Sequence, residues 1–225
     1  MPAADIKPAD LADATLDELR VALAPEIAMN AVFDGWSDEA LVQAANGAGV
    51  DPAVARLAYP DGAMDMIAGW IAATDEAMRA SFADGRLATM PIRERIRSLV
   101  WFRLEAVRGL EEALARAMAI QAMPQNLPRS LRLGWSSADA MWRLAGDTAT
   151  DYNHYTKRAI LASIYGATLS VFVSDESEDK RDTRAFLDRR IEGVMRFEKA
   201  KAQLFAGRER FDVARFLGRL RYPGR

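Results

Sequence analysis

Between Ala145 and Arg158 the chain reads AGDTATDYNHYTKR, a polar, aromatic, turn-like run that gathers side chains capable of chemistry. Asp147 and Asp151 are carboxylates, His154 is the single histidine of the protein, and Tyr152, Tyr155 and Arg158 stand close by. A carboxylate near an imidazole is raw material for acid–base catalysis, but no serine or cysteine nucleophile stands in a recognisable arrangement with His154. One histidine and no cysteine exclude a histidine-rich or thiolate metal site. No Glu-x-x-His pair is present to hold di-iron, and no P-loop or dinucleotide glycine pattern follows a strand. Binding is the chemistry that remains. Asp147, Thr148, Thr150 and Asp151 are suited to cap a helix, and the Arg158 guanidinium suits a phosphate or a carboxylate. The expectation is a protein that is not an enzyme, with no metal and no cofactor.

The elements that must position this run are helices. Gly146 can end one helix by adopting positive φ, and the following polar residues can start the next. That next helix contains the most apolar stretch of the chain, Ala159 to Val173, with Ile160, Leu161, Ile164, Tyr165, Leu169, Val171 and Phe172. A helix apolar all round must be covered on every side, by neighbours, a second subunit or a hydrophobic ligand. Before it, Met123–Trp135 is broken by prolines and glycine, predicting a short helix and then another over about Ser136–Leu144, with Met141, Trp142 and Leu144. After the acidic turn Asp175–Asp179, a helix from about Asp182 shows Phe186, Leu187, Ile191, Val194 and Phe197 at helical spacing.

Upstream, Leu16 to Val32 is helical with an interruption at Pro25, Gly35 closes it, and Ser37 caps the next helix. Asp51-Pro52 predicts the start of a short helix, Tyr59-Pro60-Asp61-Gly62 breaks it, and a longer one runs to about Phe82. Pro91 opens a single long helix whose apolar side runs from Ile92 to Met118 and carries Trp101 and Leu104.

Composition bounds the class. The 225 residues are half apolar, more than a quarter charged, and carry a net charge of −2, a normal globular balance. No basic-then-apolar stretch resembles a signal peptide, and the run Ala159–Ser174 is shorter than the ~20 residues that span a bilayer. The tail breaks the balance. From Arg196 to Arg225 nine basic residues face three acidic ones, and Val213, Phe216, Leu217 and Leu220 recur at i, i+3, i+4 and i+7. Such a basic amphipathic helix suits an anionic bilayer surface. Phe211, Phe216, Leu217 and Leu220 are expected to insert, with Arg215 and Arg219 at the headgroups.

AGDTATDYNHYTKRAILASIY at Ala145–Tyr165, followed by DTRAFLDRRI at Asp182–Ile191, resembles the hallmark region of the coenzyme Q biosynthesis protein nine family. The similarity is strong from about Leu131 to Met195 and continues, weaker, back to about Leu23. His154 stands where that family often has tryptophan. The resemblance implies an all-α, tetracycline-repressor-like fold with a degenerate helix-turn-helix head, plus a C-terminal amphipathic helix. The divisions expected are a flexible leader at 1–13, the head at 14–83, a lipid-binding and dimerisation body at 84–205, and the basic tail at 206–225.

It also implies a lipid-binding accessory protein of ubiquinone biosynthesis, peripheral on the cytoplasmic inner-membrane face or the mitochondrial matrix side. Such a protein presents ubiquinone precursors to the di-iron demethoxyubiquinone hydroxylase. The partner-binding patch of the family maps onto Met141, Leu144, Asp151, His154 and Tyr155, and Arg158 onto a position associated with a phospholipid headgroup. The helices over 91–118 and 159–173 are expected to form the lipid cavity, with Trp101, Leu104 and Ile164 in contact with isoprenoid or phospholipid. The last two long helices are expected to make a homodimer.

The helix order of the head also fits a repressor-type regulator responding to a hydrophobic ligand. Charge opposes that alternative. Leu23 to Trp70 holds seven acidic residues and one basic residue, Arg56, while DNA affinity comes chiefly from cations at phosphates. The short helix Pro52–Leu57 also lacks side chains that read base edges. No nucleic-acid partner is expected.

Overall fold

Thr15 starts the first helix through a reciprocal capping box, its hydroxyl accepting from the Glu18 N–H while the Glu18 carboxylate accepts from the Thr15 N–H. The computed structural model describes residues 11, 13–148 and 152–206, and in it this helix, α1, spans Leu16–Ala22. Pro25 sits in the first turn of α2, Ala24–Asp34, where a missing N–H costs nothing, and Gly35 ends that helix at φ 70°. Ser37 caps α3, Asp38–Gly47, and Asp51 caps α4, Pro52–Ala58. The long α5, Ala63–Ser81, follows the turn at Gly62.

These five helices share one core of Leu19, Leu23, Ile27, Leu41, Tyr59 and Ile67. The buried Tyr59 hydroxyl donates to the Arg20 carbonyl at 2.8 Å, and burial pushes this phenol well above its ordinary pKa. α5 passes so close to α1 that a Cβ on Gly69 would stand 2.6 Å from the Arg20 carbonyl oxygen.

The body is built on the far side of α5. A 3-10 turn at Arg86–Thr89 leads to α6, Ile92–Glu105, and then α7, Glu111–Gln121. The apolar rhythm over 91–118 predicted one helix; the structure has two. Gly109, at φ 85°, turns the chain between them. The opposite correction applies next. After a 3-10 turn at Pro124–Asn126, one continuous helix, α8, runs Leu127–Leu144 through Gly134, with Pro128 in its first turn. α9 spans Tyr152–Ser174 and α10 spans Arg181–Ala206.

Head and body are stitched together. The Trp36 indole donates to the Ala113 carbonyl on α7 at 2.9 Å and packs on Trp70 of α5, ring centroids 5.3 Å apart. α5 therefore serves both halves.

Between α9 and α10, Asp175 organises the turn. Its carboxylate accepts from the backbone N–H and hydroxyl of Ser177 at 2.9 and 2.5 Å, and from those of Thr183 at 2.7 and 2.5 Å. Burial alone would raise this carboxyl, but the four donors hold it far below the usual range.

α9 needs less cover than its sequence predicted. Leu161, Tyr165 and Phe172 are buried within the single chain, and from Ala159 onward the exposed positions are the small Ala159, Ser163, Ser170 and Ser174. The three serine hydroxyls donate back to carbonyls of their own helix. Of the leader 1–13, Leu11 and Asp13 are described, and Leu11 packs against the core. Among the described residues there is no strand, and no helix is long and apolar enough to cross a membrane.

Candidate functional site

Five helices, α5 to α9, leave a cavity of about 290 Å³ between them. That volume lies near the lower end for small-molecule pockets. Its wall is apolar over Ile67, Trp70, Ile71, Leu114, Met118 and Leu169. Small residues explain why space survives in an otherwise packed body. Gly134 of α8 and Gly166 of α9 both line it, and a Cβ built on either would meet nothing within 4 Å.

Trp101, Leu104 and Ile164, expected to touch lipid, do not line this cavity. Leu104 is fully buried elsewhere in the core, and Trp101 lies half-buried beneath the Arg184 guanidinium, 3.8 Å from its ring centroid. From the stretches 91–118 and 159–173 it is Arg103, Val107, Ala162 and Tyr165 that line the cavity instead, and α5 and α8 line it too.

The wall also carries polar residues, Thr74, Gln121, Ser130 and a cluster around Arg103. Arg103 is 1% exposed, its guanidinium ion-paired with Asp75 of α5 and donating to the Ser137 hydroxyl of α8 at 3.1 Å. The Tyr165 ring lies against it, 5.0 Å from guanidinium carbon to centroid. Arg103 Nε–H has no acceptor among the described residues. Burial pushes the Asp75 carboxyl above its ordinary range, opposed by Arg103.

The hallmark turn lies at the end of α8. Gly146, at φ 87°, lets its own N–H reach the Arg143 carbonyl and the Asp147 N–H reach the Trp142 carbonyl, both at 3.0 Å, a Schellman closure. Arg95 of α6 braces it by donating to the Ala145 carbonyl at 2.7 Å. Asp147, expected to cap a helix, is an ion-pair partner of α9. Its carboxylate takes Lys157 at 2.7 Å and Arg158 at 3.0 Å, and although burial works to raise it, these partners hold it below the usual range.

Arg158, expected at a phospholipid headgroup, is an ion-pair partner as well. It is 2% exposed, lies away from the cavity wall, and donates to Asp139 at 2.6 Å, Asp147 and the His154 carbonyl. Two carboxylates already occupy the guanidinium, so it joins α8, α9 and the turn instead of waiting for a phosphate.

Of the expected partner patch, Met141 is fully buried within the chain, Leu144 is half-buried, and Asp151 lies outside the described residues. His154 and Tyr155 do stand at the surface, with Tyr155 62% exposed. They form an aromatic cluster with Trp135, whose ring lies 6.4 Å from His154 and 5.9 Å from Tyr155. Leu131, one turn before Trp135, is 73% exposed. Sequence reading missed Trp135 and Leu131 because it broke α8 at Gly134; their i, i+4 spacing was the available signal. In the head, Arg56 is held by both carboxylate oxygens of Asp38, at 2.7 and 2.6 Å. The membrane-inserting set Phe211, Arg215, Phe216, Leu217, Arg219 and Leu220 lies outside the described residues.

An all-α chain with a helix-turn-helix-like head and a cavity in its helical body is the tetracycline-repressor class of fold. The TetR transcriptional regulator from Nitrosomonas europaea superposes with a TM-score of 0.61 at 20% identity, covering 77% of this chain and 96% of that one. The COQ9 family model matches residues 127–198. "Ubiquinone biosynthesis protein COQ9, mitochondrial" of Rattus norvegicus is 34% identical over 168 residues, 72% of this chain and 54% of the relative. The Homo sapiens protein of that name is also 34% identical, over 72% and 52%, and the Schizosaccharomyces pombe protein 30%, over 70% and 62%. The chain is thus similar to the COQ9 family, most specifically over residues 127–198. It spans about half the length of the curated relatives it matches.

Proposed function

We propose that this protein is a non-enzymatic lipid carrier of ubiquinone biosynthesis. It shelters the hydrocarbon tail of an isoprenoid or phospholipid between α5 and α9 and presents ubiquinone precursors to the demethoxyubiquinone hydroxylase. The observation that carries this reading is the apolar cavity, kept open by Gly134 and Gly166. A polyisoprene tail is insoluble, at ~0.8 kcal/mol for each buried CH₂, so a ring attached to it leaves the bilayer only if protein covers the chain. The cluster of exposed Leu131 and Tyr155 with half-buried Trp135 and His154, beside the hallmark turn, is the surface offered to the hydroxylase. The basic tail from Arg208 holds the carrier on the inner membrane face, and α9 with α10 make the homodimer contact.

Organic extraction of purified protein, read by mass spectrometry, tests the carrier role. An isoprenoid or phospholipid in a fixed ratio to protein is expected. No lipid after purification, and no uptake from vesicles, contradicts it. Deleting Arg208–Arg225 is expected to abolish flotation with anionic liposomes while far-UV helicity of the body persists; undiminished flotation contradicts the membrane role.

A further inference from the structure

Four helices bring polar side chains to one place at the largely apolar cavity, Arg103 from α6, Ser137 from α8 and Tyr165 from α9 on its wall, and Asp75 from α5 paired to Arg103. Asp75, Arg103 and Ser137 are nearly or fully buried, and Arg103 is, with Arg158, among the largest fully buried side chains of the described residues. Placing an ion pair in the interior is costly, and apolar residues of the same volume would often hold three helices together as well or better. Packing alone therefore gives a weak reason for the cluster. Arg103 moreover keeps one buried donor, Nε–H, without an acceptor, and an unmet donor of that kind carries a desolvation cost.

We infer that this cluster is the recognition site for the oxygen-bearing end of the ligand, and that it selects a neutral acceptor, such as a quinone carbonyl or a phenol, over an acid. This rests on the lipid-binding reading above. The sign of the selection follows from charge. Asp75 already neutralises Arg103, so a carboxylate or phosphate seated there would add an uncompensated negative charge beside Asp75 in a desolvated place. A neutral oxygen adds none and supplies the acceptor that Arg103 Nε–H lacks, beside Tyr165, which lines the same wall and lies against the guanidinium. The ligand then lies with its oxygenated end at Arg103 and its chain along Ile71, Met118 and Leu169.

Calorimetric titration with three probes of one farnesyl chain tests this: the chain on a neutral quinone ring, the chain as a free carboxylic acid, and the plain hydrocarbon. The quinone is expected to bind at least tenfold more tightly than the acid or the hydrocarbon. Tyr165→Phe, and the paired neutral change Asp75→Asn with Arg103→Gln, are expected to erase that preference while hydrocarbon binding persists. Tyr165→Phe removes a hydroxyl alone, so it reports even where the paired variant does not fold. If the hydrocarbon binds and the quinone gains nothing, or the acid binds best, or both variants keep the preference, the recognition role is overturned and the cavity reading stands. If none of the three binds, the cavity reading fails and this inference with it.

Discussion

Arg158 shows how much a side chain's surroundings decide. Its residue type fits a phosphate clamp, but Asp139, Asp147 and the His154 carbonyl occupy it below the surface. Arg158→Ala is expected to cost about 3–5 kcal/mol, as for a broken buried pair. Lys157 and Arg143 still satisfy the two carboxylates, so the lower half of that range applies. Lipid bound per folded protein should not change; thermal melts and lipid extraction on the same variant check both halves. The carboxylates Asp139, Asp147 and Asp175 are all held below their ordinary pKa. Each therefore contributes stability above its unfolded value near ~3.9 and loses it as pH falls through the lower folded value. Urea midpoints are expected to be flat from neutral pH down to about 5 and to fall below about 4. Asp147→Asn together with Asp175→Asn should flatten that acid limb.

Among elements, the caps were legible in the sequence and the middles were not. Ser37, Asp51 and Gly35 act within one turn of themselves, so their chemistry needs no tertiary information. Gly109 and Gly134 look alike in sequence and do opposite things, one turning the chain at positive φ and one sitting mid-helix where it opens a cavity. Only packing distinguishes them, so one helix was expected where two exist and two where one exists. The same difficulty hid Trp135 and Leu131 and turned Trp101, Leu104 and Ile164 toward the wrong space. Tight approach also tests the element scale. Gly69→Ala would push a Cβ against backbone at 2.6 Å, forcing α5 from α1. About 1–3 kcal/mol of overpacking cost is expected, read as a lowered denaturation midpoint.

At the scale of the whole molecule, α5 carries the head on one flank and the cavity on the other, and Trp36 ties α7 back to the head. A head with its Arg56 already paired to Asp38 is poorly equipped for phosphates, while the body retains open apolar space. The repressor-like frame thus supplies the cavity, and the COQ9 hallmark supplies an aromatic surface beside it. Trp135→Ala with Tyr155→Ala is expected to weaken capture of the hydroxylase at least tenfold without changing bound lipid, as measured by co-purification and extraction in parallel.

The most direct measurement fills the cavity. Leucine at Gly134 and Gly166 enters space that is open now, and replacing glycine within a helix contributes up to about 1 kcal/mol of helix propensity per site. The carrier account predicts that the Gly134→Leu, Gly166→Leu protein melts at an equal or higher temperature than the parent chain and yields at most a tenth of its extracted lipid. A folded, stable variant that still carries its full complement of lipid would contradict it.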